Sequence, residues 1–377
     1  MRNQAPTDTP AASPDTTLYE GGSRPRPWRL MTAAGGQSGW RLGESGGEPW
    51  LVLHGGPGSG ASPALLAAFD AALHTAWGSH QRGSAAAGVR RAGRLPVAAM
   101  VSDLEALREA LAIPRWSVLG GSWGAYLALA YLRRYPASVE RVVLRGSFLG
   151  RTGDVWGLVR AMPAGVLRQA GLPPPASRLG LPAWLGAVHR LFRFATPGPA
   201  AALVARAWLL AEGRTALRGA CRASRHASEV APENNAAAAW RLRAAWRDLR
   251  RSERRGAAGL RMRRPVPPAQ ARKVALQARL LSRGCDHLLS GAVPAWRGWL
   301  AQAAATPASA PARAPVQVLH GRFDAVCSPG NARRVTAWFA GPAGAGAVGT
   351  IPVHAGHLAT EPAMARALRN AVRGRAC

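Results

Sequence analysis

Lysine is almost missing from this chain. Among 49 Lys and Arg residues the one lysine is Lys273. Acids are scarce as well: 19 Asp and Glu against those bases leave a formal net charge of +30. Such a charge ordinarily points to nucleic acid or an anionic membrane surface. Here the arginines are spread along the whole chain, with short clusters at 247–255 and 261–264, and no nucleic-acid motif accompanies them. Arginine in place of lysine, with abundant Ala and Gly, reads as the imprint of a GC-rich genome. No nucleic-acid partner is expected. Uncharged apolar runs long enough to cross a bilayer, about 18 residues or more, are also missing, so no membrane association is expected. The four cysteines, Cys221, Cys285, Cys327 and Cys377, show no C-x-x-C spacing and no metal-ligand pattern. That argues against structural zinc and a disulfide framework. Free thiols in a reducing, cytoplasmic setting are the expectation.

What is present suits a sizeable core: 377 residues, 48% of them hydrophobic. Residues 1–27 are rich in Thr, Pro, Ala and Gly and carry no apolar stretch behind a basic start. They read as a disordered tail, not a signal peptide. From 28 to 149 strand and helix signals alternate. Trp50–Leu53, Trp116–Leu119 and Val142–Leu144 are short apolar runs of the buried parallel type. Val101, Leu104, Leu107 and Leu111 recur at helical spacing, and Gly124–Tyr135 reads as an apolar helix stopped by Pro136. From 150 to 312 strand signals vanish and apolar residues recur at helical spacings, as in Ala236–Leu249, so a helical cap is expected. From 313 to 377 the alternation returns, with strands over Val316–Leu319 and Val348–Val353 and helices over Asn331–Phe339 and Glu361–Val372. The whole predicts an α/β fold: a mostly parallel sheet with helices on both faces and an inserted helical cap.

Gly120-Gly121-Ser122-Trp123-Gly124 is the sharpest motif. It spells G-x-S-x-G between a strand and a helix, the context of a nucleophile elbow. Glycines at 120 and 124 let the neighbouring chain approach, and the helix N-terminus favours negative charge beside the hydroxyl. His54-Gly55-Gly56-Pro57-Gly58 follows the first apolar strand. The N–H groups of Gly55 and Gly56, with that of Trp123, are candidate oxyanion donors. No Gly-Lys-Ser/Thr follows, which argues against a phosphate loop. A serine nucleophile needs a base and an orienting acid, in chain order acid then histidine. Asp324 and His357 each stand just after a predicted strand, where ligand sites of open α/β sheets gather. His354 is the competing base. No metal and no cofactor is implied.

Taken together, these motifs resemble the prolyl aminopeptidase (proline iminopeptidase) family of α/β hydrolases. The matching stretches are His54–Gly58, Gln81–Ser84, the run 103–136, Val142–Arg151, His320-Gly321-Arg322-Phe323-Asp324 and Gly356-His357. The resemblance implies cofactor-free hydrolysis that releases an N-terminal proline from short peptides, with Ser122, Asp324 and His357 as the triad. It is similar to that family in the core and less so in the cap. The family has an acid where this chain has His80. Cap glutamates hold the substrate amine in the family, one ending an Ala-Trp-x-x-Trp-Glu segment and one an Ala-Arg-Ile-Glu helix. The stretches read as counterparts are Ala239–Ala244 and Ala278–Leu281, which put Ala244 and Leu281 at those places. Glu229 and Glu233 then become the candidate amine ligands. A small peptide is the expected substrate. An esterase, amidase or lactonase with altered cap specificity, or a catalytically impaired relative, are the alternatives.

Overall fold

The computed structural model describes residues 23–84, 87, 97–173, 180–193, 197–230, 240, 244, 247, 251, 266–282, 315–339 and 348–374, with the backbone alone at 227–230 and 348. In chain order the main elements are β1 (Arg26–Thr32), β2 (Gly35–Leu42), β3 (Glu48–Leu53), β4 (His74–Ser79), α1 (Val97–Ala110), β5 (Trp116–Gly121), α2 (Trp123–Arg134) and β6 (Val139–Arg145). Then come α3 (Thr152–Arg160), α4 (Ala164–Gln169), α5 (Leu181–Leu191), α6 (Pro199–Val230) and α7 (Pro268–Ser282). The chain closes with β7 (Val316–Gly321), α8 (Gly330–Phe339), β8 (Val348–Val353) and α9 (Pro362–Val372).

All eight strands form one sheet in the order β1-β2-β4-β3-β5-β6-β7-β8. Only β2 runs against its neighbours; the pairs from β4 to β8 are parallel. Buried on both faces, the central strands divide their side chains by the two-residue period. Leu51, Leu53, Val118, Val142, Leu144 and Val318 face α1, α2 and α8. Trp50, Val52, Leu119, Val143 and Leu319 face α9 and the turn holding Leu66 and Phe69. Between β6 and β7 every described element is a helix. There α7 packs on α5 and α6. Trp184 and Trp208, fully buried in these helices, join the core cluster on the α1/α2 face.

The expected strands and helices are present, most of them one to three residues longer. Strand β1 begins at Arg26, inside the segment read as a tail, because Trp28 and Leu30 pair across β2; residues 1–22 lie outside the described ones. Most of the helix expected at 236–249, and the 303–314 linker, also lie outside them. No described helix is long and apolar enough to cross a membrane.

Register positions the functional loops. Leu53 pairs with Gly120, Gly121 with Arg145, Arg145 with Leu319, and Gly321 with Val353. The C-terminal ends of β3, β5, β6, β7 and β8 therefore finish side by side. The turns after them, carrying His54–Gly58, Ser122, Gly146, Asp324 and His357, meet at one edge of the sheet.

Candidate active site

Ser122 joins β5 to α2 at φ 57° and ψ −119°. A side chain at positive φ is strained, and such strain persists only where the surroundings over-determine it. The surroundings here are backbone: a Cβ on Gly120 would overlap the Gly124 carbonyl, and one on Gly124 would overlap the Leu53 carbonyl. Trp123 opens α2, so its N–H has no carbonyl one turn back to bond. Gly55 packs against Ser122; a Cβ there would stand 3.4 Å from the serine Cβ.

The glycine turn after β3 is held by a buried polar network. His54 donates from Nδ1 to the Gly55 carbonyl at 2.8 Å and accepts the Gln81 N–H at Nε2, 3.2 Å away. The Gln81 amide returns a bond to the His54 carbonyl at 2.8 Å and accepts from Trp123 Nε1 at 3.1 Å. One chain of bonds thus ties the glycine turn to the helix that follows the serine. Burial is the main force on His54; the nearby charges of His80 and Lys273 add to it, and the Gly55 bond offsets part, leaving its pKa at about 4 against an ordinary 6.5. Above pH 6.5 the ring is neutral folded or unfolded, and its contribution is constant. Below that, the unfolded chain takes a proton that the folded chain refuses. Stability should fall as pH drops from 6.5 to about 4, by roughly 3 kcal/mol in total from this group. Denaturant unfolding at about pH 7.5 and about pH 4.5 checks it: His54→Asn should narrow the difference between the two pH values. An unchanged difference would contradict the assignment.

Asp324 follows β7, and its carboxylate is fully buried. Oδ1 accepts the N–H groups of Val326 (2.8 Å) and Cys327 (2.9 Å); Oδ2 accepts His357 Nδ1 at 2.8 Å. Burial alone pushes this carboxyl up, but His357, His320 and the Cys327 N–H together outweigh it and hold it below the ordinary range. His320, also buried, donates from Nε2 to the Cys327 carbonyl at 3.1 Å and lies 3.5 Å from Asp324 Oδ2. Burial lowers its pKa, so it stays neutral beside the acid.

His357 sits on a clamped turn. Glu361 accepts the N–H groups of Gly356 (2.6 Å) and Leu358 (2.9 Å), and Arg145 donates to the His357 carbonyl. Gly146 leaves the space for this arrangement, since a Cβ there would lie 3.1 Å from both Asp324 Oδ2 and the His357 ring. His354 lies elsewhere: its Nε2 faces the Ala223 carbonyl at 3.2 Å, and its ring packs on His226 and Phe323. His357, and not His354, therefore reaches Asp324.

Ser122, Gly55, Gly56 and His357 line one cavity of about 220 Å³. Among the described residues the Ser122 hydroxyl is within hydrogen-bonding reach of the Cys327 thiol, and no hydrogen bond joins it to His357. Three helices between β6 and β7 line the cavity. α3 supplies Asp154, Val155 and Leu158; α6 supplies Glu212, Thr215 and Ala216; α7 supplies Lys273, Gln277 and Leu281. These spacings of three and four residues are what one helix face presents. Asp154 is kept by Asn331 Nδ2 (3.0 Å) and the Leu149 N–H (3.3 Å), and burial raises its pKa.

Sequence reasoning counts Glu212 among the few acids between 150 and 312 but ranks Glu229 and Glu233 above it. Glu212 ends Ala207-Trp208-Leu209-Leu210-Ala211-Glu212, which spells Ala-Trp-x-x-x-Glu and matches the family's cap motif better than Ala239–Ala244. The signal was in the sequence, one residue short of the full motif. Of the two earlier candidates, Glu229 lies near the end of α6 with its side chain outside the described residues, and Glu233 lies wholly outside them. Leu281 does face the cavity, where the second cap glutamate was expected to be replaced.

The family model described as alpha/beta hydrolase fold matches residues 49–361. The chain is similar to the proline iminopeptidase of Xylella fastidiosa (strain 9a5c): 36% identical over 190 residues, which is 46% of this chain and 56% of that protein. It is similar to the probable proline iminopeptidase of Streptomyces coelicolor, 39% identical over 178 residues, 44% of this chain and 54% of that one. The chain spans about half the length of the curated relatives it matches. Among solved structures, the proline iminopeptidase-related protein of Thermus thermophilus superposes with a TM-score of 0.51 at 21% identity, covering 93% of this chain and 98% of that one. A mutant meta-cleavage product hydrolase gives 0.51 at 16% identity, with 92% and 96% covered. Both likenesses speak to the fold alone.

Proposed function

The chain belongs to the alpha/beta hydrolase fold family, and from that premise we propose that it is a serine exopeptidase of the proline iminopeptidase kind, releasing N-terminal proline from short peptides through an acyl-enzyme on Ser122. The observation that carries this reading is the bond from His357 Nδ1 to fully buried Asp324, on the wall of the cavity that Ser122 also lines. With Nδ1–H fixed on Asp324, the Nε2 lone pair of His357 is free to take a proton. The Ser122 hydroxyl turns from Cys327 to that nitrogen, a tightening usual when substrate binds. Its oxygen then bonds the scissile carbonyl carbon as the proton passes to Nε2. Negative charge on the carbonyl oxygen meets the N–H groups of Gly55, Gly56 and Trp123. Collapse breaks the C–N bond, and His357 returns its proton to the departing amine. Water repeats the sequence and releases the acid.

Glu212 supports the exopeptidase reading. A substrate's free amine is a cation at neutral pH, and its burial under a cap requires a facing carboxylate. Glu212 is a carboxylate of the cap that lines this cavity. Buried Cys327 is a free thiol, which supports a reducing, cytoplasmic setting. The test is the ratio of kcat/KM for free and N-acetylated proline arylamides. Glu212→Gln should lower that ratio by about tenfold or more, the equivalent of about 1.4 kcal/mol. A ratio unmoved by the substitution would remove Glu212 from amine recognition.

A further inference from the structure

The single lysine of the chain sits in this cavity. Lys273 Nζ lies 2.7 Å from Glu212 Oε2, and Gln277 Nε2 donates to Glu212 Oε1, also at 2.7 Å. Lys273 and Gln277 are one turn apart on α7, so both fall on the face that covers the site. Lys273 is close to the glycine turn as well: a Cβ on Gly58 would lie 3.5 Å from its Cα. Both Glu212 oxygens are therefore already bonded from α7, and its charge is matched by a tethered ammonium. Lys273 and Glu212 are each about one quarter exposed, 22% and 24%, so water and small solutes reach the pair. An ammonium entering from a substrate must share this carboxylate with the like charge beside it.

We propose that Lys273 is a specificity-determining residue: it competes with a substrate α-ammonium for Glu212, and so weakens, without abolishing, the preference of the site for a free over a blocked nitrogen. This rests on the reading that the acyl group of the substrate lies between Ser122 and Glu212. The pair also links α6 to α7, and a purely structural role would change all substrates alike. The specificity role changes only those that carry the cation.

Two readouts separate the cases. In turnover, Lys273→Met keeps the apolar stem and removes the charge. It should raise the ratio of kcat/KM for free over N-acetylated proline arylamide at least tenfold, through KM of the free substrate, while Lys273→Arg leaves the ratio at the wild-type value. Lys273→Gln, which keeps a hydrogen-bond donor for Glu212, should move in the same direction as the Met variant and serves if that variant folds poorly. In binding, calorimetry on a Ser122→Ala background should show L-prolinamide gaining at least tenfold in affinity when Lys273→Met is added, with N-acetylprolinamide unchanged. Equal changes for free and blocked ligands, or none, would overturn the assignment to Lys273. Turnover that survives Ser122→Ala would instead overturn the reading on which it rests, and the binding experiment would still decide the role of Lys273.

Discussion

Replacing Ser122 with alanine should lower kcat by about a million-fold while leaving the fold intact. The magnitude follows from what the side chain does. It forms the covalent bond to the acyl group, whereas the Thr215 hydroxyl, which also lines the cavity, donates to the Ala211 carbonyl. Cys327 lies within hydrogen-bonding reach of Ser122, but burial raises its pKa well above the ordinary thiol value. A protonated, buried thiol does not substitute for the serine. Alanine also tolerates the elbow no worse than serine, because the strain lies in the backbone at φ 57° and not in the hydroxyl. Residual catalysis from positioning and oxyanion donors, about a thousand-fold over water, should remain. Steady-state kinetics on a proline arylamide, with circular dichroism of both proteins, checks the pair of claims. A fall of tenfold or less with an unchanged spectrum would contradict them.

Asp324→Asn should lower kcat by about ten-thousand-fold. The direction of the new amide is dictated by its neighbours. Oδ1 of Asp324 accepts the N–H groups of Val326 and Cys327, and only an oxygen can remain there. The introduced NH₂ group must then face His357. It obliges Nδ1 to accept, which moves the ring proton to Nε2 and removes the lone pair that Ser122 needs. The neighbouring His320 cannot restore it, since its Nε2–H is directed to the Cys327 carbonyl. The loss should appear in kcat with little change in KM, and it should not add to the loss from His357→Ala, because the two residues act as a unit. Independent, additive losses would show that Asp324 is not the partner of His357.

Much of the sheet and of the site was legible because the cues are local. Short apolar runs ending in glycine turns marked β3 and β5, and G-x-S-x-G between strand and helix marked Ser122. Chain order then led from Ser122 to Asp324 and His357. The β1–β2 hairpin went unread because an edge hairpin carries little apolar alternation: Gly35, Gly36, Ser38 and Gly39 dilute β2, and Arg26 and Arg29 dilute β1. Glu212 was passed over for a different reason. Several stretches between β6 and β7 contain Ala-Trp, and which of them turns toward Ser122 depends on how the helices there pack, a long-range matter. The Lys273–Glu212 pair spans 61 residues, and no spacing rule reaches so far. Glu361 and His320 share that difficulty, since a loop acid and a strand-end histidine reveal their roles only once the turn at 356–358 is in place.

Mass spectrometry after treatment with a fluorophosphonate tests the nucleophile most directly. The reagent needs an activated serine and requires no knowledge of the substrate. One adduct per chain is expected, on the peptide that carries Ser122, and both Ser122→Ala and His357→Ala should abolish its rapid formation. A stoichiometric adduct on another residue, or hydrolysis that continues undiminished after Ser122 is fully labelled, would contradict the assignment of Ser122 as the nucleophile.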